Sequence, residues 1–121
     1  MTGERLGFIG IGVMGAPMAG HLAKAGHPLT LFDLNEDAAR RLAAPYNNVA
    51  VARSPRDVGA ASDIVLTMLP SGQEVRAVAL GDDGLLHGLN PGGLLLDTSS
   101  SEPWFTREVA AHLAESGIAM V

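Results

Sequence analysis

Near the start of the chain, Gly10-Ile11-Gly12-Val13-Met14-Gly15 has the spacing G-x-G-x-x-G. That spacing can cradle a pyrophosphate. Gly10 permits a tight turn, Gly12 keeps a Cβ out of the path of the phosphates, and Gly15 lets a helix lie close to a sheet. The unpaired N–H groups of the helix's first turn, aided by its dipole, then face the anion. Glycine-rich windows also arise as plain turns, so context decides. Here the pattern follows an apolar run at 6–9 and opens a helical one at 14–25, with Gly15, Met18, Ala19, Leu22 and Ala23 on one face. Pro17 places the helix start near residues 13–16, because only a first turn tolerates it.

Asp33 lies about 20 residues beyond the loop, at the end of the second strand run, where a carboxylate accepts hydrogen bonds from adenosine ribose hydroxyls. It would repel a 2′-phosphate, and Leu34 offers no cation to attract one, so NAD is favoured over NADP. A reaching Arg40 would weaken that preference. Asp33 can equally cap the helix after it, and the two roles are compatible. Pro70 pushes Leu69 into extended geometry, so Leu69-Pro70-Ser71 should leave the sheet where the strand order reverses and ligands bind. The plainer alternative is a strand stop with Ser71 as helix cap. Glu74, one turn into the following helix, joins the candidate cofactor contacts. Asp97-Thr98-Ser99-Ser100-Ser101 precedes Glu102-Pro103. A cap at Ser101 or Glu102 accounts for one hydroxyl, and Ser99 and Ser100 are candidates for the nicotinamide end. A hydroxyl-rich loop is the bland alternative.

Elements that would position these residues alternate along the chain. Strands are predicted at 6–9, 28–32, 49–51, 64–69, 93–96 and 118–121. Helices are predicted at 14–25, 35–44, 54–61, 71–80 and 103–116, with a turn at 81–84. The β-branched and leucine run 64–69 reads as a strand buried on both faces. This alternation implies right-handed βαβ units: an α/β, Rossmann-type, doubly wound parallel sheet in a single domain, ordered 3-2-1-4-5-6. The chain stops inside its sixth strand, which reads as a truncation.

Composition excludes several classes. The 121 residues suffice for one domain, and 47% apolar against 17% charged residues allows a packed core. A net charge of −5, with only eight scattered basic residues, argues against nucleic acid. The chain has no cysteine, hence no disulfide, thiolate zinc site or cysteine nucleophile. His21, His27, His87 and His112 show no metal-ligand spacing. Glycines interrupt the apolar segment after Arg5, so it is no signal peptide, and no run is long enough to cross a bilayer. A soluble, cytoplasmic protein is the expectation.

The segment from Phe8 to Ala19 resembles the opening signature of the β-hydroxyacid dehydrogenases. These include 3-hydroxyisobutyrate dehydrogenase, tartronate semialdehyde reductase and, more distantly, 6-phosphogluconate dehydrogenase. Lys24-Ala25-Gly26-His27, Ser62-Asp63-Ile64, Thr67-Met68-Leu69-Pro70, Gly84-Leu85-Leu86, Pro91-Gly92 and Asp97-Thr98-Ser99-Ser100 follow in the expected order. His21 departs from the family's usual asparagine, and Ser100 from the threonine of many members. The resemblance implies a parent enzyme that transfers hydride between a small 3-hydroxy acid and NAD. It also implies parts that lie beyond Val121: an Asp-Ala-Pro-Val-Ser-Gly-Gly substrate segment, a general-acid lysine and an all-α domain that would support a homo-oligomer. Lys24, the only lysine, matches a non-catalytic family position, so no catalytic residue is named. Two other function classes stand beside this one. The first is a free-standing NAD-binding module or subunit without activity of its own. The second is methyl transfer from S-adenosylmethionine, which would not need the phosphate-cradling helix start.

Overall fold

The computed structural model describes residues 4–99 and 102–121. Six parallel strands form one sheet: β1 Leu6–Ile9, β2 Leu29–Phe32, β3 Val49–Val51, β4 Ile64–Thr67, β5 Leu94–Asp97 and β6 Ala119–Met120. Their order is β3-β2-β1-β4-β5-β6, as the alternating pattern predicts. β1 is central, with Leu6 in register with Leu29 on one side and Ile64 on the other. The chain therefore leaves β1 in one direction and returns at β4 in the other, and the crevice of a doubly wound sheet opens at that reversal.

Five helices make the crossovers: α1 Gly15–Lys24, α2 Glu36–Ala43, α3 Pro55–Ala60, α4 Gly72–Leu80 and α5 Pro103–Glu115. Local chemistry sets their ends. The Asn35 side chain accepts from the Ala38 N–H at the start of α2, and Ser54 Oγ accepts from the Asp57 N–H at the start of α3. Gly26 ends α1 at a φ of +91°, which suits glycine. Ser71 and Glu102 stand at the caps of α4 and α5, yet neither side chain makes a cap hydrogen bond. The expected capping role is thus filled in position only. Ser101, the other candidate, lies outside the described residues.

The core lies in two layers. Phe8, Leu29 and Leu31 pack with Ala19 and Ala23 of α1 and Ala39 of α2. Ile9, Val65 and Leu95 pack on the other face with Val58 of α3, Ala79 of α4, and Val109 and Leu113 of α5. This division corrects the expected strand at 64–69. β4 ends at Thr67, and only Val65 and Thr67 are fully buried, while Ile64 and Leu66 are half-buried. The first layer draws its helical apolar residues from α1 and α2, which follow β1 and β2 in the chain, so β4 is packed less tightly on that side. A 3₁₀ turn at Leu85–His87, absent from the sequence expectation, buries Leu85 in the second layer.

Candidate functional site

The glycine segment forms the turn from β1 into α1. Gly10 has a φ of +107°, and a Cβ there would stand 2.1 Å from the Met68 carbonyl oxygen. Only glycine allows the ends of β1 and β4 to meet this closely. A Cβ at Gly15 would fall 1.8 Å from the Gly10 carbonyl oxygen and 3.3 Å from the Phe8 ring, so its absence lets α1 start directly against β1. At Gly12 nothing lies within 4 Å of the Cβ position. The fold does not require glycine there, whereas an approaching ligand would. The Gly12 carbonyl accepts from the Ala16 N–H as α1 begins. Among the described residues, no protein acceptor takes the N–H groups of Gly12, Val13 or Met14. Such donors ahead of a helix suit an anion.

Asp33 sits one residue past β2. Its Oδ2 accepts from the Ile11 N–H at 2.6 Å and its Oδ1 from the Asn35 N–H at 2.8 Å. The carboxylate therefore braces the glycine turn against the end of β2, and Asn35, not Asp33, caps α2. A carboxylate offers about four lone-pair sites, so two donors leave room for more. Ile11 itself is buried in the first core layer. Its contribution to the turn is the N–H that Asp33 holds.

A cavity of about 580 Å³ opens between the ends of β1, β2 and β4. Gly10, Gly12, Val13, Met14 and Gly15 line it from the turn, Asp33 and Leu34 from just past β2, Leu69 and Pro70 from just past β4, and Glu74 from α4. Ile11 and Ser99 are not part of its lining, and Ser100 lies outside the described residues. Val13 and Leu34, on the lining, are 91% and 95% exposed. Ile9, Phe32, Pro55, Met68, Ala77 and Val78 complete the wall and were not singled out from the sequence. Ala77 and Val78 follow Glu74 by three and four positions, so helical periodicity carried that signal. Pro55 comes from α3 and left no local trace of its place here.

Ser99 lies across the sheet from Asp33, beyond β5. Its Oγ accepts from the Leu69 N–H at 2.7 Å. Among the described residues, no group of three or more His, Asp or Glu side chains is placed to hold a metal ion. No helix of the described residues is long and apolar enough to cross a membrane.

A sheet that reverses its strand order at a glycine turn, with an acidic residue closing the neighbouring strand, defines the dinucleotide-binding class of α/β domains. Residues 5–121 match the family described as the NAD binding domain of 6-phosphogluconate dehydrogenase, and the chain belongs to that family. It is 43% identical over 118 residues to an NAD-dependent L-serine dehydrogenase of Pseudomonas aeruginosa, covering 98% of this chain and 39% of the relative. It is 35% identical over 116 residues to the 3-sulfolactaldehyde reductase of Escherichia coli, covering 96% and 38%. The solved 3-hydroxyisobutyrate dehydrogenase of Mycobacterium tuberculosis with L-serine superposes with a TM-score of 0.86 at 38% identity, covering 99% and 39%. The chain thus spans about two fifths of the length of these relatives.

Proposed function

We propose that the cavity binds NAD as the cofactor half of a 3-hydroxyacid dehydrogenase. The observation that carries this reading is the open Cβ position at Gly12, beside unpaired N–H groups and under a braced turn. Gly10 through Gly15 would hold the pyrophosphate. Asp33 would accept from the adenosine ribose hydroxyls with Leu34 beside it, and Leu69, Pro70 and Glu74 would line the crevice where the strand order reverses. Ser99 and Ser100 would serve the nicotinamide end. Bound there, the cofactor supplies hydride chemistry, and the protein binds and orients it. The names of the relatives suggest a small 3-hydroxy acid, such as L-serine or 3-hydroxyisobutyrate, as the substrate of the whole enzyme. The family resemblance assigns the substrate grip, the proton-transferring lysine and the oligomer contacts to sequence beyond Val121, in an all-α domain.

NAD is preferred over NADP in this reading. The Asp33 carboxylate would face a 2′-phosphate, and the Arg40 guanidinium pairs with Glu36 on its own helix instead of reaching the cavity. Calorimetric titration of both cofactors tests the proposal. NAD should bind at least about tenfold more tightly, the effect of roughly 1.4 kcal/mol of like-charge repulsion. Equal or tighter binding of NADP would overturn the assignment of Asp33.

A further inference from the structure

Beyond the ladder between β4 and β5, three side-chain hydrogen bonds tie the two strand ends together, and a fourth holds the loop after β5 to its own strand. The Thr67 hydroxyl is buried and donates to Asp97 Oδ1 at 2.8 Å. The Ser99 N–H donates to that same oxygen at 3.0 Å. The Leu69 N–H donates to Ser99 Oγ at 2.7 Å, and the Thr98 hydroxyl to the Thr67 carbonyl at 2.6 Å. One carboxylate oxygen therefore fixes the start of the loop after β5, and that loop in turn fixes the elbow where Leu69 enters the cavity wall.

The location gives this network a task beyond holding the sheet. Asp33 braces the turn on the β2 side of β1, whereas Asp97 braces the β4–β5 seam on the opposite side. A dinucleotide lies across the crevice between the two halves of such a sheet. With its adenosine at Asp33, its other half must pass the β4–β5 seam. Ser99 Oγ already accepts the Leu69 N–H, which leaves its O–H as a donor for a ligand.

We propose that Asp97, with Thr67, is a positioning residue that acts through Ser99 and Leu69 to place the nicotinamide riboside half of the cofactor. The inference rests on the NAD reading above. It requires that the network matter to the dinucleotide and not to its adenosine diphosphate half.

Calorimetry with NAD and with ADP separates these requirements, because ADP keeps the adenosine and pyrophosphate and lacks the nicotinamide riboside. Asp97→Ala and Thr67→Val should each weaken NAD binding about tenfold, the loss of one well-placed hydrogen bond. ADP affinity should stay within about twofold. Asp97→Asn and Thr67→Ser, which keep an acceptor and a donor respectively, should restore most of the NAD affinity. If Asp97→Ala does not fold, Thr67→Val and its serine rescue decide alone. A parallel loss of NAD and ADP affinity would show a merely structural role and overturn the proposal, as would NAD affinity that does not move. Wild-type chain that binds neither ligand would remove the cofactor reading and this inference together. Wild-type chain that binds both, with the variants unchanged, would remove this inference alone.

Discussion

A Cβ at Gly10 would collide with the Met68 carbonyl, whereas one at Gly12 would meet nothing, so the two glycines answer to different demands. Gly10 serves the fold, and on the proposed reading Gly12 serves the cofactor. Gly12→Val should therefore leave the thermal midpoint within a few degrees, about what a surface change of ±0.5 kcal/mol produces. NAD affinity should fall by about a hundredfold or more, since the side chain fills the pyrophosphate's path. Circular dichroism melting with calorimetry on one preparation checks both halves, and a folded variant that binds normally would move the cofactor away from this loop. The glycine spacing was legible because it encodes backbone conformation locally. The bracing role of Asp33 was not, since its bond to the Ile11 N–H joins residues 22 positions apart. Sequence offered a ribose acceptor or a helix cap for Asp33. Asn35, two residues on, turned out to be the cap.

At the scale of elements, α1 carries its own internal control. A Cβ at Gly15 would press into the Gly10 backbone, but at Gly20, in mid-helix, nothing lies within 4 Å. Gly20→Ala should stabilise the chain by about 0.5–1 kcal/mol through helix propensity. Gly15→Ala should lower stability by about 1–3 kcal/mol, the usual cost of overpacking, and displace the start of α1. Urea unfolding of both variants measures the contrast, and a stabilised Gly15→Ala would contradict the close contact of helix and strand. The opposite end of the sheet holds a pH-sensitive link. Arg5 donates to Asp63 through its guanidinium, at 3.1 Å to Oδ1, and through its backbone N–H, at 2.9 Å to Oδ2. The guanidinium first, then that N–H, hold the Asp63 carboxyl below its ordinary range against a small opposing cost of desolvation. A carboxyl depressed in the folded state stabilises it above the unfolded pKa, and the contribution is lost as pH falls through the folded value. Asp63→Asn should lower the thermal midpoint slightly at neutral pH, and the difference should shrink as pH drops below about 3.9. A difference that is constant with pH would mean that the pair's charge contributes nothing. The starts of α2 and α3 were legible to within a residue from the runs at 35–44 and 54–61, although the cap of α2 is Asn35 and not Asp33. The early end of β4 and the turn at Leu85–His87 were not. Three residues show no periodicity, and a strand's end depends on its neighbours' length.

For the whole molecule, strand order was the most legible feature, because alternating elements and right-handed crossovers leave few topologies. Asp33 and Glu74 are the only titratable residues in the cavity's described lining, and Asp33 is occupied as a brace. Lys24 sits at the far end of α1, nine residues from Gly15 and so roughly 14 Å along the helix axis from the turn. On the proposed reading, the lysine that takes the hydroxyl proton of a 3-hydroxy acid lies beyond Val121, and the cavity's described lining holds no lysine or histidine. General acid–base assistance is commonly worth about 10²–10⁴-fold in rate, and well-oriented reactants reach effective molarities of about 10⁵–10⁸ M. Without either, the 121-residue chain should bind NAD yet form no measurable NADH from L-serine or 3-hydroxyisobutyrate. The measurement is NADH absorbance with purified chain at high concentration and Gly12→Val as the control. Turnover that rises with protein and disappears in Gly12→Val would place an acid–base group within these residues. Glu74 would then be the first to replace, since it is the cavity carboxylate that no described residue holds in a hydrogen bond or ion pair.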